Sequence, residues 1–541
     1  MLAKQAPFLL LLAVIAFYFY GLGHLPLVGP DEPRYAQVAR EMLMRGELIT
    51  PTLGGYTWFE KPVLLYWFMI LSYKLLGVTE LAARLGPATA GVLTVLAVYW
   101  LARTVEAASS DADLQGLGLW SALVAATTLG IIVFSRAASF DILVTMTITW
   151  ALAFFFAHEV HQSGRKRGIF LAAFYVFVGL SLLAKGLVGF LPLGVVGTYL
   201  LLRREIPERR LLISLIWGIP LALAVAAIWY GPVIARHGSL FVNQFVIQHH
   251  FARYLSNRYS HPQPFFFYLV ILVPLTLPWT PFFINGVASL RCWQWRGDDS
   301  LNRMRVLSLA GLLLPTLFFS FSGSKLPGYI VPVLPAAALL AGERVTRFIS
   351  TGQIGKGAMR LIGVLCLLFA AGSLFYASRF GMVSIRCALA IVLPIIVAGF
   401  FILVRRQWRT ACAIVTAGAT IASLIILLNC GVDNLAQRES VKHLIEAADG
   451  RGYSRVPICG LHVVERSVEF YASGRLVYGP DGEPAKFEGA VQVLERARNA
   501  DGLVLVLVPI EHVSQLTNLS SAKTEVIADN AVLAIVALHR Q

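Results

Sequence analysis

The most prominent feature of the chain is a series of long apolar stretches separated by short polar segments. A helix needs about 20 mostly apolar residues to cross a bilayer, and most of the stretches approach or exceed that length. Uninterrupted hydrophobicity on this scale predicts membrane-spanning helices. Thirteen spans are predicted, at residues 7–27, 83–105, 116–134, 137–161, 168–184, 186–202, 211–231, 266–288, 306–322, 328–343, 359–378, 384–404 and 410–430.

The distribution of Lys and Arg among the loops sets the expected orientation. Basic residues gather in the loops after the fourth, sixth, eighth, tenth and twelfth spans, which all lie on one side of the membrane. By the positive-inside rule that side is the cytoplasm, and the N-terminus lies there too. The residues are Arg165, Lys166, Arg167, Arg203, Arg204, Arg209, Arg210, Arg291, Arg296, Arg303, Arg305, Arg344, Arg347, Arg405, Arg406 and Arg409.

One further apolar segment, residues 62–77, is short and carries Lys74. Counting it as a span would place the basic loops on both sides of the membrane. We therefore predict that it lies in the membrane interface or re-enters the membrane from the outside.

The pattern changes from about residue 431 onwards. Three short apolar runs, beginning near residues 456, 502 and 524, predict strands, and the stretches 436–448 and 487–499 predict helices. The sequence thus predicts a soluble α/β domain at 431–541, placed outside by the odd number of spans. The remainder, 1–430, is a membrane domain with a long outer loop at 28–82.

The amino-acid composition is also that of a membrane protein. Of the 541 residues, 57% are apolar and 14% are charged, against about 25% charged in soluble domains. A soluble enzyme, a nucleic-acid-binding domain and a disordered scaffold are excluded. The net charge of +15 is explained by the basic cytoplasmic loops, so we expect membrane lipids, and no nucleic acid, as partners. Six scattered cysteines without a C-x-x-C pair predict neither a disulfide framework nor a zinc site.

Ionisable residues are costly inside hydrocarbon, so those at the ends of spans are candidates for function. In this chain they collect at the predicted outer ends, where we expect them to converge on one cavity. The candidates are Asp31, Glu32, Arg34, Tyr35, Glu60, Lys61, Asp141, Lys185, His249, His250, Arg253, Lys325 and Tyr329.

Each of these residues also has a structural explanation. Asp31 could cap the helix that follows it, and Lys185 or Lys325 could reach to the interface. Glu41 and Arg45 are spaced to form an i,i+4 pair on that same helix. Taken together, these structural explanations are less convincing, because all of the candidate residues fall on the predicted outer side of the membrane.

A carboxylate beside several cations at a membrane surface suits transfer from a lipid-phosphate donor. A phosphate leaving group departs as an anion and needs cations, not a general acid. Asp31 would activate or orient the acceptor, while Lys61, Arg253 and Lys325 would hold the donor phosphate. No cofactor is required by this chemistry. A divalent cation on Glu60, His249 and His250 is the less favoured alternative to hydrogen bonding by these side chains.

The motifs that carry these residues resemble a known family. They are GPDEPRYAQVAREM from residue 29, WFEKP from residue 58, AKGLVG around Lys185, HHFARY ending at Tyr254, YLVILVPLTLPWTPF at 268–282 and FSGSKLPGYIVPVLP at 321–335. In this order, and spread over about 300 residues, they resemble the ArnT-like lipid A aminoarabinose transferases of the protein O-mannosyltransferase-like superfamily.

The resemblance implies a GT-C fold with thirteen spans and a periplasmic domain, in the bacterial inner membrane. It implies a donor in which undecaprenyl phosphate carries 4-amino-4-deoxy-L-arabinose, and a phosphate of lipid A as acceptor. It makes Asp31 the catalytic carboxylate, with Glu32 and Asp141 as alternatives. The substrate-binding residues carried over are Arg34, Tyr35, Glu60, Lys61, Lys185, His250, Arg253, Lys325 and Tyr329.

Two other functions compete with this prediction. A transferase of the same class could deliver the sugar to a protein hydroxyl or another envelope acceptor. A lipid flippase or transporter would instead show internal repeats and ionisable residues near mid-membrane, and the sequence shows neither.

Overall fold

The computed structural model describes residues 2–161, 164–252, 263–380, 383–405, 407–498 and 502–540. The chain forms two compact units. The first, the membrane unit, contains Met1–Leu22, Phe59–Leu65 and Arg84–Leu427. The second, the mixed unit, contains Gly23–Trp58, Tyr66–Ala83 and Leu428–Gln541.

The helices, in chain order, are α1 Leu2–Phe19, α2 Asp31–Met44, α3 Leu64–Leu76, α4 Glu80–Ala108, α5 Leu117–Thr127, α6 Leu129–Ser135, α7 Phe140–Val160, α8 Arg165–Lys185, α9 Leu191–Arg203, α10 Arg209–Phe241, α11 Phe267–Leu275, α12 Thr280–Ala288, α13 Ser300–Ser320, α14 Leu334–Thr351, α15 Lys356–Phe380, α16 Ile385–Val404, α17 Arg409–Cys430, α18 Asp433–Arg438, α19 Lys442–Gly450, α20 Ser467–Tyr471, α21 Ala490–Arg498 and α22 Val513–Thr517. A π-helical segment, Val242–Ala252, continues α10. The strands are β1 Thr52–Leu53, β2 Tyr56–Thr57, β3 Ile458–Leu461, β4 Lys486–Phe487, β5 Leu503–Pro509, β6 Ala522–Asp529 and β7 Leu533–Arg540.

The protein is a multi-pass membrane protein. Among the described residues, nine helical segments are long and apolar enough to span, and the bent pair α5–α6 would make ten. Every one of the thirteen predicted spans has a helical counterpart. Three of them differ from a simple long helix: α1 is short, 116–134 is bent between α5 and α6, and 266–288 is divided into α11 and α12.

The interruption after α8 marks a reversal of the chain. Arg167, near the start of α8, donates a hydrogen bond to the carbonyl of His158 at the end of α7. Tyr199, near the end of α9, donates to Glu159 at that same end of α7. Both termini of the segment 165–203 therefore lie together. This reversal of the chain agrees with the prediction of two spans there.

The basic loops meet at one end of the membrane unit, which we call the basic end. Its buried arginines are neutralised by a few acids: Glu343 by itself accepts from Arg305 at 2.6 Å and from Arg347 at 2.9 Å. Another acid, Glu159, pairs with Arg303 at 2.8 Å. Charges this deeply buried persist only when paired, so these contacts fix the relative positions of the loops.

The short apolar segment predicted to lie in the interface forms α3. At about 1.5 Å per residue, its 13 residues extend roughly 20 Å, which is less than the hydrocarbon thickness of about 30 Å. This length agrees with the prediction that the segment does not cross the membrane.

The C-terminal residues form a five-stranded sheet in the order β4-β3-β5-β7-β6, as part of the mixed unit. Strands β3, β4 and β5 are parallel, and β7 is antiparallel to both β5 and β6. Alternate residues of β5 enter the two apolar cores on opposite faces of the sheet: Leu505 packs on one face and Val506 on the other. The predicted α/β fold of this region is confirmed.

The cysteines depart from the sequence prediction. Cys387 and Cys430 are disulfide-bonded, whereas Cys292, Cys366, Cys412 and Cys459 are free. The two bonded residues are 43 positions apart in the chain. No local motif marks such a pair, because only the three-dimensional fold determines which cysteines approach each other.

Candidate active site

The membrane unit carries an ion pair at the end opposite the basic end. Asp141 lies in the first turn of α7, and Lys185 is the last residue of α8. The Lys185 ammonium donates to Asp141 Oδ1, and both side chains are largely buried. Asp141 lies 18 residues from Glu159 along α7, so the pair is about 27 Å from the basic end. Two of the predicted site residues are thus brought together.

The local sequence explains how Asp141 and Lys185 come to lie beside each other. Ser139 caps α7 by accepting a hydrogen bond from the backbone N–H of Asp141, and its hydroxyl donates to Asp141 Oδ2 at 3.1 Å. Gly186 ends α8 with φ of 63°, a conformation that a residue with a side chain rarely adopts. The turn at Gly186 therefore stops α8 directly after Lys185.

The loop after α13 covers this pair. Tyr329 lies in a short 3₁₀ helix, and its ring centroid is 4.8 Å from Lys185 Nζ, a cation–π distance. At the preceding Gly328, a Cβ atom would lie 2.1 Å from Asp141 Oδ2. Glycine is therefore required at this position for the loop to approach the Asp141 carboxylate. This close approach explains the glycine before the tyrosine in the GSKLPGY motif.

Two further lysines of the prediction also belong to the membrane unit. Lys325 is buried and donates to the carbonyls of Ser322 at 2.8 Å and Gln263 at 3.0 Å. Lys61 pairs with Glu60 at 2.9 Å, and both side chains are mostly covered. Lys325 is therefore held by neutral carbonyl groups.

Asp31, in the mixed unit, is the first residue of α2. The cap position before it is Pro30, which makes no side-chain cap bond, so Asp31 does not cap the helix. Its side chain is half exposed and accepts from Arg34 Nη2 at 2.6 Å. Arg34 also donates to the carbonyl of Pro30 and stacks over Trp58 at 5.5 Å. Arg34 therefore orients an accessible carboxylate.

Glu32 and Tyr35 have different surroundings from Asp31. Glu32 is buried and accepts from the backbone N–H of Val28 at 3.1 Å. Tyr35 is buried against Tyr66, with ring centroids 6.5 Å apart. Both side chains support the loop around α2, which leaves Asp31 as the exposed carboxylate of the acidic pair.

The C-terminal domain contacts α2 directly, which the sequence analysis did not predict. The Tyr471 hydroxyl accepts from the N–H of Leu27 at 2.7 Å, and Gln37 donates to Ser473 at 2.9 Å. Arg40 donates to the carbonyl of Phe470. These contacts join residues more than 400 positions apart, so no local pattern could reveal them.

The predicted i,i+4 pair on α2 is wrong. Arg45 donates to the carbonyl of Thr50 at 2.6 Å instead of meeting Glu41. Glu41 accepts from the Thr52 hydroxyl at 2.7 Å and from the N–H of Gly54 at 2.8 Å. The hairpin β1–β2 offers N–H donors that would otherwise lack an acceptor, and this need exceeds the small gain of an exposed pair.

Glu41→Gln is expected to loosen this hairpin by about 1–3 kcal/mol, because an amide replaces a charged acceptor and presents N–H groups to N–H donors. Limited trypsin digestion after Arg45 should become at least several-fold faster than in the wild type. Glu439→Gln, an exposed change in the same unit, is the control. Equal digestion rates in the two variants would contradict the role of Glu41.

A buried carboxyl next to α2 predicts a pH dependence of stability. Burial raises the pKa of Glu469 to about 7, although Arg466, which donates to it at 2.9 Å, acts in the opposite direction. The pKa of this carboxyl is higher in the folded state than in the unfolded state, so the folded state binds the proton more tightly. Its contribution to stability is then lost as the pH rises from about 4.5 to 7.

Glu469→Gln should therefore flatten the decline in unfolding temperature between pH 5 and 7.5, measured on the full-length protein in detergent. At pH 8 the variant should be at least as stable as the wild type. A variant that is less stable than the wild type at pH 8 would show that the ion pair with Arg466 outweighs the cost of burial.

Some predicted residues cannot be placed. Arg253 and the side chain of His250 lie outside the described part of the chain, and His249 lies in the π-helical segment. Among the described residues no group of three or more His, Cys, Asp or Glu side chains could hold a metal ion. The set of Glu60, His249 and His250 stays a prediction.

Comparison with known proteins shows what the chain resembles. The model of the Dolichyl-phosphate-mannose-protein mannosyltransferase family matches residues 8–235. An undecaprenyl phosphate-alpha-4-amino-4-deoxy-L-arabinose arabinosyl transferase of Aeromonas salmonicida (strain A449) is 30% identical over 373 residues, which cover 67% of this chain and 65% of that protein. A second such transferase, from Sodalis glossinidius (strain morsitans), is 33% identical over 363 residues, covering 66% of this chain and 62% of the relative.

The whole fold also has a solved counterpart. The crystal structure of ArnT from Cupriavidus metallidurans bound to undecaprenyl phosphate superposes with a TM-score of 0.77 at 23% identity, over 98% of each chain. The fold is therefore that of a polytopic GT-C membrane protein. The chain is thus similar in sequence to the curated undecaprenyl phosphate-aminoarabinose transferases and shares the GT-C fold. In sequence, it spans just under two thirds of the length of these curated relatives.

Proposed function

We propose that the protein is a glycosyltransferase that moves 4-amino-4-deoxy-L-arabinose from undecaprenyl phosphate to a phosphate of lipid A. The observation that carries the proposal is the match to curated transferases of this name over about two thirds of the chain. The cations at the end opposite the basic end supply a chemical reason, since a departing polyprenyl phosphate needs positive charge.

The proposed roles follow the local geometry of each residue. Lys185 and Lys325, together with Lys61, stabilise the phosphate of the donor. Asp31, oriented by Arg34, orients the acceptor and stabilises positive charge that develops on the sugar. Asp141 holds Lys185 in position, and Tyr329 covers it. Arg253 and His250 remain part of the proposed substrate site from the sequence.

We place this chemistry at the periplasmic face of the bacterial inner membrane, with residues 1–430 as the membrane domain, 28–82 as its outer loop and 431–541 as the periplasmic domain. The disulfide-bonded Cys387 and Cys430 lie near helix ends on the proposed outer side, whereas the free Cys292 and Cys412 lie near the basic end. Disulfides persist in oxidising compartments, which supports this orientation.

Accessibility to a membrane-impermeant maleimide tests the orientation. In intact cells carrying a Cys292→Ser background, Tyr56→Cys should be labelled and Lys166→Cys should be protected until the membrane is opened. Both positions are exposed in the structure. Labelling of both from the outside would contradict the topology.

The activity can be tested in cells that lack their own aminoarabinose transferase but still make the donor. Expression of the protein should produce lipid A that carries the amino sugar, detected by mass spectrometry. A protein hydroxyl acceptor is the second candidate, because the matched family model describes protein mannosyltransferases. Unmodified lipid A together with newly glycosylated envelope protein would favour that candidate.

A further inference from the structure

A cavity of about 390 Å³ opens at the basic end, between the end of α14 and the helices α15, α16 and α17. Its polar lining includes Lys356, Arg360 and Arg409, and its apolar lining includes Phe348, Met359 and Ile402. The cavity is remote from the proposed transferase site, which lies about one membrane thickness away. The proposed reaction gives it no role.

The cations of this cavity differ from the other basic residues nearby. Arg305 and Arg347 are neutralised by Glu343. In contrast, no Asp or Glu occurs anywhere in residues 344–432. Within the described parts of the chain, Lys356 contacts the neutral Gln353 at 3.4 Å, and Arg409 donates to the carbonyl of Ser350 at 3.0 Å. The part of the chain that the structure describes thus gives Lys356, Arg360 and Arg409 no acidic partner.

The site is also built in a fixed geometry. Gly352 has φ of 66°, and a Cβ atom there would lie 2.5 Å from Arg409 Nη1. A side chain at Gly352 would be strained by this φ and would crowd the guanidinium, which lies against the end of α14 and donates to the carbonyls of Phe348 and Ser350. Lys356 and Arg409 are the first residues of α15 and α17, so two helix N-termini add their positive dipole ends.

The surrounding helices indicate that the ligand comes from the bilayer. Most residues of α15, α16 and α17 are not buried: 17%, 33% and 28% of the residues in their spanning windows are buried. Beside the cavity, the exposed Trp408 has Arg405 stacked at 5.7 Å, an arrangement typical of the headgroup region. A ligand that reaches this cavity therefore comes from the lipid bilayer.

We propose that this cavity binds the phosphate group of an anionic phospholipid, whose acyl chains lie along α15 and α16. Three cations match a phosphodiester through charge-assisted hydrogen bonds, and Met359 and Ile402 contact the start of the chains. Basic pockets between spanning helices commonly bind such headgroups. The orientation proposed above assigns the lipid to the inner leaflet, but binding itself does not depend on that orientation.

The test measures cardiolipin binding to the full-length protein in a neutral detergent by native mass spectrometry. In Lys356→Gln/Arg360→Gln the affinity should fall at least tenfold. The matched control is Arg379→Gln/Arg386→Gln, which removes two exposed charges from the opposite ends of α15 and α16, and its affinity should stay within twofold of the wild type. Equal losses in the two double variants, or no loss in either, would overturn the proposal.

A second arm separates a lipid from a free anion. Cardiolipin should raise the unfolding temperature of the wild type but not that of Lys356→Gln/Arg360→Gln, and millimolar inorganic phosphate should give no comparable rise. A rise with inorganic phosphate as large as that with cardiolipin would overturn the assignment to a lipid. Transfer activity is not part of either readout, so failure here leaves the proposed function standing.

Discussion

Asp31→Asn should reduce transfer by roughly 10²–10³-fold, the loss measured when one electrostatic contact to a transition state is removed. The structure leaves Asp31 half exposed and paired with Arg34, so an amide of the same shape preserves the helix while removing the charge. Donor binding should be nearly unchanged. The measurement is the single-turnover rate of sugar transfer by purified protein in detergent micelles.

Asp481→Asn, an exposed change in the same unit, is the control for Asp31→Asn. Because a phosphate monoester has a second pKa near 6, the wild-type rate should also fall as the pH drops below about 6. Full activity in Asp31→Asn would show that this carboxylate has no role in transfer. A rate that is flat from pH 5 to 8, with chemistry limiting, would contradict a phosphate acceptor.

Lys185→Met should lower transfer at limiting donor by about 10- to 150-fold, the equivalent of one charge-assisted contact of about 1.5–3 kcal/mol. It should also destabilise the protein by about 3–5 kcal/mol, since Asp141 is left buried without its partner. The two effects can be separated. Asp141→Asn/Lys185→Met removes both charges and should recover most of the stability, measured by thermal unfolding, but not the activity.

Lys74→Met, which removes an exposed lysine from α3, serves as the control. If the double variant recovers both stability and activity, Lys185 has only a structural role. If it recovers neither, the pair contributes more to the fold than a simple ion pair can explain.

The spans were predictable because of a strict physical constraint. A chain in hydrocarbon must satisfy its own backbone hydrogen bonds, so a long apolar run is nearly always a helix. Interruptions were not predictable from hydropathy. The break that separates α11 from α12 lies inside 266–288, a stretch apolar enough to be predicted as one continuous span.

The residues of the candidate site could also be recognised in the sequence, but the contacts between them could not. Asp141, Lys185 and Tyr329 stand out because charge is rare near hydrocarbon. Which of them pair depends on the turn of α8 and on the close approach at Gly328. The same holds for α2, whose supports Tyr471 and Ser473 belong to a domain that begins almost 400 residues later.

The central claim is that the acceptor is a phosphate of lipid A and the donor a polyprenyl-phosphate amino sugar. Purified protein in liposomes can be given undecaprenyl phosphate carrying labelled aminoarabinose, together with lipid A, enzymatically dephosphorylated lipid A or a serine-rich peptide. The account predicts label on lipid A alone, and none on the dephosphorylated form. Label on the peptide, or equal label on dephosphorylated lipid A, would contradict it.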